Sequence, residues 1–217
     1  MLEAVIFDFD GILVDTPEYY FKHMKSYLRA IHPAITDDDI APLIGHTFDA
    51  KVNALNQKFG LRIERAHFAK AMNEKVRAEM LGSLVPNPDL LRLLGELDEA
   101  GLPLGIASSN SRHNILAFLE RLGIAGRFSS ILSYSDASVP KPSPEIYINA
   151  AESLGVACAH CAALEDTLAG FESAKGAGMK CIAMPNRFAA GHAFEGADIV
   201  VKDFKELSFE RIRGLWL

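Results

Sequence analysis

Four short polar stretches in this sequence each follow an apolar run, at points where buried strands would end. In open α/β sheets, ligands bind beyond the carboxyl ends of the strands, so polar residues at these points are candidates for a site. Each stretch by itself has an ordinary explanation as a helix cap, a turn or a surface lysine. Four of them at successive strand ends are not explained in that way. The candidate residues are Asp8, Asp10, Ser108, Ser109, Asn110, Lys141, Glu165 and Asp166.

The acidic residues of this set indicate a divalent cation. Asp8 and Asp10 are one residue apart, and Glu165 and Asp166 are adjacent, so four carboxylates at one sheet edge repel one another unless a cation lies among them. Mg²⁺ suits such a site, since proteins hold it with one or two carboxylates, backbone oxygen, water and phosphate. The neighbouring hydroxyls, the lysine and the loop amides suit a phosphate group.

The apolar pattern predicts an α/β fold. Ala4–Phe7 is an unbroken apolar run, typical of a strand buried on both faces of a parallel sheet. After Gly82, helical and strand patterns alternate, which predicts a parallel, doubly wound sheet. The later strands are predicted at 103–107, 130–132, 161–164, 181–184 and 199–201, and the helices at 90–97, 114–122, 144–154 and 168–177.

A helical segment interrupts this pattern after the first strand. Residues 19–31, 48–59 and 66–80 have helical patterns, and no comparable strand lies among them. We therefore predict an α/β core of residues 1–15 and 83–217, with an inserted helical domain of residues 16–82. The insert carries a formal charge of +2 and the core −8, so the acidity belongs to the part that holds the four carboxylates.

Composition limits the classes of protein to consider. The chain has 217 residues, 49% of them hydrophobic, and a net charge of −6, which is typical of a soluble globular protein and argues against binding nucleic acid through bulk charge. Three cysteines are too few for a disulfide framework and favour a reducing cytoplasm. No apolar run is long enough to span a membrane. We expect a cytoplasmic monomer or weak homo-oligomer without nucleic-acid or membrane partners.

Two further groups of polar residues are weaker indications. Cys158 and Cys161 form a single Cys-x-x-Cys without a second pair, which is poor evidence for a zinc site. Arg187, His192 and Lys202 follow the later strands, and their spacing indicates surface residues only.

The four polar stretches together resemble motifs of the haloacid dehalogenase superfamily, in its phosphatase and β-phosphoglucomutase-like branch. The motifs are residues 8–16 (DFDGILVDT), 106–110 (IASSN), 141–147 (KPSPEIY) and 165–170 (EDTLAG), in the family's order. Residues 16–82 match the position of the family's helical cap. The resemblance implies a Rossmann-like α/β core with an inserted α-helical cap domain.

The resemblance also implies a role for each motif residue. Asp8 would be the nucleophile that forms an aspartyl-phosphate, and Asp10 the general acid and base. Mg²⁺ would be held by Asp8, the backbone carbonyl of Asp10 and Asp166, with Glu165 reaching it through water. The phosphoryl oxygens would be bound by Ser108, Ser109, Asn110 and Lys141.

The function implied is Mg²⁺-dependent hydrolysis of a small phosphorylated metabolite, such as a sugar phosphate. Dehalogenases of the superfamily need neither the second aspartate nor Mg²⁺, and its phosphonate hydrolases replace that aspartate, so Asp10 argues against both. A non-catalytic phosphate-responsive module is disfavoured because the motif residues are intact.

A sugar phosphomutase of the β-phosphoglucomutase type is the main alternative. Such mutases carry a cap histidine in a Thr-x-Glu-Tyr-His run and an arginine, in a Gly-x-Ser-Arg run, that binds a second phosphate. Here Tyr20 replaces the histidine, and the second run is Gly45-His46-Thr47-Phe48. Both diagnostic residues are missing, so the phosphatase is favoured.

The cap of such enzymes closes over the site and selects the substrate. For this chain a rough alignment with the family gives five candidate contacts, although an ordinary role as a surface or packing residue of the cap is favoured for each of them. They are Tyr20, His46, Thr47, Lys51 and Lys75.

Overall fold

A computed structural model of the chain describes residues 1–189 and 194–217, so His192 lies outside the described residues. The chain divides into two compact units. An α/β unit consists of Met1–Val14 and Leu84–Leu217, and a helical unit consists of Asp15–Ser83. The function of the helical unit as a cap stays a prediction.

Helices form the whole regular structure of the helical unit and alternate with strands in the α/β unit. The helical unit contains α1 (Thr16–Ile31), α2 (Asp37–Ile40), α3 (Phe48–Phe59) and α4 (Arg65–Ser83). The α/β unit contains α5 (Pro88–Glu99), α6 (Arg112–Leu122), α7 (Glu145–Leu154), α8 (Leu168–Gly176) and α9 (Phe209–Arg213). In the part of the chain that the structure describes, no helix is both long enough and apolar enough to cross a membrane.

One parallel sheet forms the centre of the α/β unit, which confirms the predicted fold class. Its order is β3-β2-β1-β4-β5-β6. The strands are β1 (Ala4–Phe7), β2 (Leu104–Ala107), β3 (Ser130–Leu132), β4 (Cys161–Glu165), β5 (Lys180–Ala183) and β6 (Ile199–Val200). The order reverses at β1, because β2 and β3 extend the sheet on one side and β4 to β6 on the other. Ligand sites of open α/β sheets lie at this kind of switch point.

The strand register brings the candidate residues to one edge of the sheet. Phe7, at the end of β1, is level with Ile106 of β2 and with Leu164 of β4. The residues that follow Phe7 and Leu164, Asp8 and Glu165, therefore emerge side by side. The polar stretch that begins at Ser108 follows β2 on the other side of β1.

Both faces of β1 are covered, which accounts for its unbroken apolar sequence. Alternate side chains of a strand point to opposite faces. Ala4 and Ile6 belong to a buried cluster with residues of α7 and α8, including Tyr147. Phe7 packs edge-on against Phe128 with ring centroids 6.0 Å apart. A polar residue within β1 would be buried without water to hydrogen-bond with it. The first polar residue of the site, Asp8, therefore comes only after the strand has ended.

The helical unit has its own apolar core. Helix α4 packs against both α1 and α3. Met24 and Leu28 of α1 and Phe68 and Met72 of α4 are fully buried. Apolar residues three or four positions apart therefore line the inner faces of these helices, as the periodicity predicted.

Some elements differ from the sequence-based expectation at their ends. Helix α5 begins at Pro88 rather than at residue 90, because Asn87 caps it by accepting hydrogen bonds from Asp89 N and Leu90 N. Helix α2 was not predicted, since its four residues are too few to show a helical period. Thr36 and Asp39 form a capping box there, which is a local signal that the sequence does contain.

Replacement of Phe118 by alanine tests the packing beside the first motif. Phe118 is fully buried on α6 and stacks on Phe9, with ring centroids 6.2 Å apart. We expect Phe118→Ala to lower the free energy of unfolding by about 3–5 kcal/mol, because the lost ring leaves a cavity. Urea denaturation measures this change. Glu120→Ala, at an exposed position on the same helix, is the control and is expected to stay within about 0.5 kcal/mol.

Candidate active site

The loop after β1 wraps closely around one acidic side chain. Asp8 continues the pairing of β1 for one residue, since its N–H donates to the carbonyl of Leu164 at 2.9 Å. Gly11 then turns the chain with a φ of +87°, a conformation that favours glycine. A Cβ atom at Gly11 would lie 1.8 Å from Asp166 Oδ2. Glycine is therefore required here both for the turn and for the room that it leaves to Asp166.

Lys141 joins the ends of three strands. Its ammonium donates to Asp8 Oδ1 at 2.6 Å, to the carbonyl of Ala107 at 2.9 Å and to Glu165 Oε1 at 2.6 Å. Only 8% of its side chain is exposed. Burial alone would lower the pKa of Lys141, but the adjacent carboxylates Asp8 and Glu165 outweigh it and raise that pKa above its ordinary value. Lys141 is therefore a fixed positive charge beside Asp8.

Three buried acids lie within reach of one cation. Asp8, Glu165 and Asp166 each offer a carboxylate oxygen, and these oxygens lie within 4.8 Å of one another. Burial raises the pKa of Asp8 to about 8, with the charges of Glu165 and Asp10 adding to the effect and Lys141 opposing it. Burial, followed by the charges of Asp8 and Glu165, also raises the pKa of Asp166. Positive charge beside Asp8 and Asp166 would favour the ionised forms of these two carboxyl groups.

The residues present fit a divalent cation. Asp166 Oδ1 is buried and, within residues 1–189 and 194–217, has no hydrogen-bond partner. Its other oxygen accepts a hydrogen bond from Asn186 Nδ2 at 2.6 Å, which fixes the carboxylate. A buried carboxylate oxygen with no donor is expected where a metal ion binds. Hard oxygen ligands of this kind suit Mg²⁺, with Asp8 and Asp166 as the side chains that would hold it.

Asp10 is held by the loop that follows β2. Asn110 donates its side-chain amide to Oδ1 and to Oδ2 of Asp10, at 3.1 Å each. The backbone N–H of Asn110 in turn donates to Ser108 Oγ at 3.0 Å. Asn110 was expected to bind phosphate. The structure places its amide on Asp10, and its phosphate contact is not tested and stays a prediction. Ser108 is buried and Ser109 exposed, and their phosphate contacts are equally untested.

Three residues that donate hydrogen bonds to the acidic side chains of the site were not predicted from the sequence. Tyr147 and Thr167 both donate hydrogen bonds to Glu165, and Asn186 donates to Asp166. Tyr147 falls within the third motif and Thr167 within the fourth, so both were in quoted segments without an assigned role. Asn186 follows β5, at the edge where ligands bind, and this position was the only available signal.

The candidate cap contacts differ in their burial and in their hydrogen bonds within the helical unit. Tyr20 donates its hydroxyl to Asn73 Oδ1 at 2.6 Å, and Thr47 caps α3 by accepting from Ala50 N at 3.2 Å. His46 and Lys75 are exposed. These positions do not test whether any of the residues contacts a substrate.

Lys51 is the unusual member of that group. The residue is only 6% exposed, and its ammonium lies 5.4 Å from the ring centroid of Tyr20 and 4.9 Å from that of Phe48. No carboxylate among the described residues pairs with it. Burial lowers the pKa of Lys51 to about 8. An amine in such surroundings is a candidate for contact with an anion.

The Cys-x-x-Cys segment carries no comparable group. Cys158 and Cys161 are free thiols. A metal ion could be held by a cluster of three or more histidine, cysteine or acidic residues. Among the described residues, such a cluster is found at Asp8, Glu165 and Asp166, and neither cysteine belongs to it.

Comparison with known proteins establishes the family. The sequence model of the haloacid dehalogenase-like hydrolases matches residues 5–184, and the chain therefore belongs to that family. It is 32% identical to beta-phosphoglucomutase from Bacillus subtilis (strain 168) over 222 residues, which cover 99% of this chain and 96% of that protein. The family and the hydrolase class, both implied by the four motifs, are confirmed.

A phosphatase and a solved structure are also similar to the chain. It is 28% identical to the phosphorylated carbohydrates phosphatase of Thermotoga maritima over 181 residues, which cover 83% of this chain and 84% of that protein. The crystal structure of CbbY from Rhodobacter sphaeroides in complex with phosphate has a TM-score of 0.82 at 26% identity, and covers 98% of this chain and 100% of that chain. The relatives thus include both a mutase and a phosphatase.

Gly11→Ala tests the predicted metal site without changing a charge. Mg²⁺ is expected to raise the melting temperature of the wild type, because a ligand that binds only the folded state stabilises it. The added methyl group would displace Asp166, so Gly11→Ala is expected to lose this rise. Gly45→Ala is a matched control, since Gly45 has the same φ of +87° but no atom within 4 Å of its would-be Cβ. An unchanged Mg²⁺ effect in Gly11→Ala would contradict the assignment.

Proposed function

We propose that the chain is a Mg²⁺-dependent phosphatase that hydrolyses a small phosphorylated metabolite, a sugar phosphate or a similar phosphomonoester. The observation that carries the proposal is the Asp8 carboxylate, which Lys141 holds at 2.6 Å beside two further buried acids. This combination supplies a nucleophile, a fixed positive charge and ligands for a cation. The similarity to the phosphatase from Thermotoga maritima supports the same activity.

Asp8 acts as the nucleophile in this proposal. One of its carboxylate oxygens attacks phosphorus in line, and the bond between phosphorus and the alcohol oxygen breaks as the aspartyl-phosphate forms. Lys141 stays beside Asp8 and offsets negative charge on the transferring group. Mg²⁺, held by Asp8, Asp166 and the backbone carbonyl of Asp10, would add positive charge for the phosphoryl oxygens. Positioning and charge neutralisation thus account for most of the catalysis.

Asp10 moves the protons. It donates one to the departing alcohol and then, as a carboxylate, takes one from the water that hydrolyses the aspartyl-phosphate, which releases phosphate and restores Asp8. The two 3.1 Å hydrogen bonds from Asn110 limit the directions in which the Asp10 carboxylate can point. We therefore propose Asn110 as an orienting partner of Asp10, in addition to its expected place near the phosphate.

Variants of the two aspartates separate the two steps. We expect Asp8→Asn to lower turnover of an aryl phosphate by about a thousandfold or more, because no nucleophile remains. Asp10→Asn is expected to accumulate the phosphoenzyme, since an aryl oxide leaves without an acid but hydrolysis lacks its base. Steady-state kinetics and intact-protein mass spectrometry measure the two effects.

The controls for this experiment are removal of the metal and an unrelated acid. EDTA is expected to abolish turnover, and Mg²⁺ to restore it. Glu172→Gln, at an exposed position on α8, is expected to behave as the wild type. Full turnover by Asp8→Asn would exclude Asp8 as the nucleophile.

We propose that the helical unit selects the substrate and that Lys51 contacts an anionic group in it. A lysine buried between two aromatic rings loses hydration, and a negatively charged ligand group would compensate for that loss. The mild positive charge of the insert supports an anionic substrate as well. Tyr20, His46, Thr47 and Lys75 stay candidate contacts of the same unit.

A sugar phosphomutase is the second candidate, because the chain is 32% identical to beta-phosphoglucomutase from Bacillus subtilis. The absence of the mutase's histidine at Tyr20 and of its arginine at Phe48 favours the phosphatase. Incubation with a hexose 1-phosphate and a bisphosphate activator decides between them. A phosphatase is expected to release inorganic phosphate, whereas a mutase would convert the substrate to the hexose 6-phosphate without net release.

A further inference from the structure

Tyr147 is a buried tyrosine that touches two charged residues of the site. It lies on α7 and is fully buried. Its hydroxyl donates to Glu165 Oε1 at 2.7 Å. The ammonium of Lys141 lies 4.9 Å from the centroid of its ring. The catalytic steps described above give Tyr147 no part, although a phenylalanine would fill the same space without burying a polar group.

The carboxylate of Glu165 is saturated with donors from the protein. Oε1 accepts from Lys141 at 2.6 Å and from Tyr147 at 2.7 Å. Oε2 accepts from Asp166 N at 3.2 Å and from Thr167 Oγ1 at 3.3 Å. A carboxylate has about four lone-pair sites, so these donors occupy them. A cation could bind Glu165 directly only by displacing one of these donors.

Glu165 is also confined by the start of α8. A Cβ atom at Gly170 would lie 2.0 Å from the carboxylate carbon of Glu165. The side chain therefore passes through space that only a glycine leaves open. Hydrogen bonds on both oxygens and contact with Gly170 together give the carboxylate one position.

The position of Lys141 follows from that of Glu165. An ammonium has three N–H donors, and those of Lys141 go to Glu165 Oε1, the carbonyl of Ala107 and Asp8 Oδ1. Two of these acceptors, a carbonyl in a strand and the confined carboxylate, are rigid. They fix where the third N–H meets Asp8.

We propose that Tyr147 is a positioning residue, which holds Glu165 and Lys141 in the arrangement that brings Lys141 to Asp8. Glu165 then serves as the anchor of Lys141 and not as a direct ligand of the cation. The inference rests on the proposed phosphatase function, since the arrangement matters for attack by Asp8. With phenylalanine at position 147, Glu165 Oε1 would keep a single donor and could turn, drawing Lys141 away from Asp8.

Tyr147→Phe tests the proposal with the loss of one oxygen atom. We expect kcat for an aryl phosphate to fall on the order of tenfold, the effect of one hydrogen bond to a charged group. KM is expected to change less than twofold, because Lys141 acts on the transition state more than on binding. The rise in melting temperature on addition of Mg²⁺ is expected to persist. Tyr134→Phe, which alters an exposed tyrosine, is the control.

A double-mutant cycle with Glu165→Gln distinguishes positioning from a general effect on folding. If Tyr147 acts through Glu165, Tyr147→Phe should lower kcat less than twofold in the Glu165→Gln background. A merely structural role would lower the active fraction equally in both backgrounds. Glu165→Gln by itself is expected to keep the Mg²⁺-induced rise in melting temperature.

The following results would overturn the inference. An unchanged kcat in Tyr147→Phe, or an equal loss in both backgrounds, would exclude the positioning role. Loss of the Mg²⁺ effect in Glu165→Gln would make Glu165 a ligand of the cation, and this result is readable even if Tyr147→Phe does not fold. Absence of turnover by the wild type would refute the proposed phosphatase itself, and the inference with it.

Discussion

The contact between the ammonium of Lys141 and the carboxylates of Asp8 and Glu165 is the interaction on which the rest of the site depends. The two acids emerge from neighbouring strands, and burial raises the pKa of Asp8 above its ordinary value. A lysine at this point compensates part of their charge. Asp166 Oδ1, which has no hydrogen-bond partner among the described residues, is the oxygen that the proposed cation would use. The loop after β3 supplies that lysine, so one side chain both connects the ends of three strands and places a positive charge beside Asp8.

The elements of the α/β unit could be predicted from sequence for a simple physical reason. Strands such as β1 and β4 are buried on both faces, so they are apolar runs that stop where the sheet ends. The same rule located Asp8 and Glu165, since a charge at the end of a buried strand is conspicuous. Short elements such as α2 could not be found in that way, because four residues show no period.

The hydrogen-bond partners of the site residues were harder to predict, because residues that are close in space can be far apart in sequence and the residue type alone does not show the contact. Tyr147 occupies an inward position of an amphipathic helix, where its ring is indistinguishable from an ordinary core residue. Asn110 looks like a phosphate ligand beside two serines, yet its amide contacts Asp10. The burial of Lys51 likewise depends on tertiary packing, since charged residues on helices are usually exposed.

The division of the α/β unit along the chain has a consequence for synthesis. The central strand β1 is made first, but its two partners, β2 and β4, begin at Leu104 and Cys161. On a ribosome, therefore, β1 leaves the exit tunnel with both edges unpaired, and the whole helical unit is completed before either partner exists. Formation of the sheet must wait for these distant pairings, which are slow to find because long loops have to close. A nascent segment that is prone to aggregation is thus the kinetic consequence of placing Asp8 at the end of a central strand.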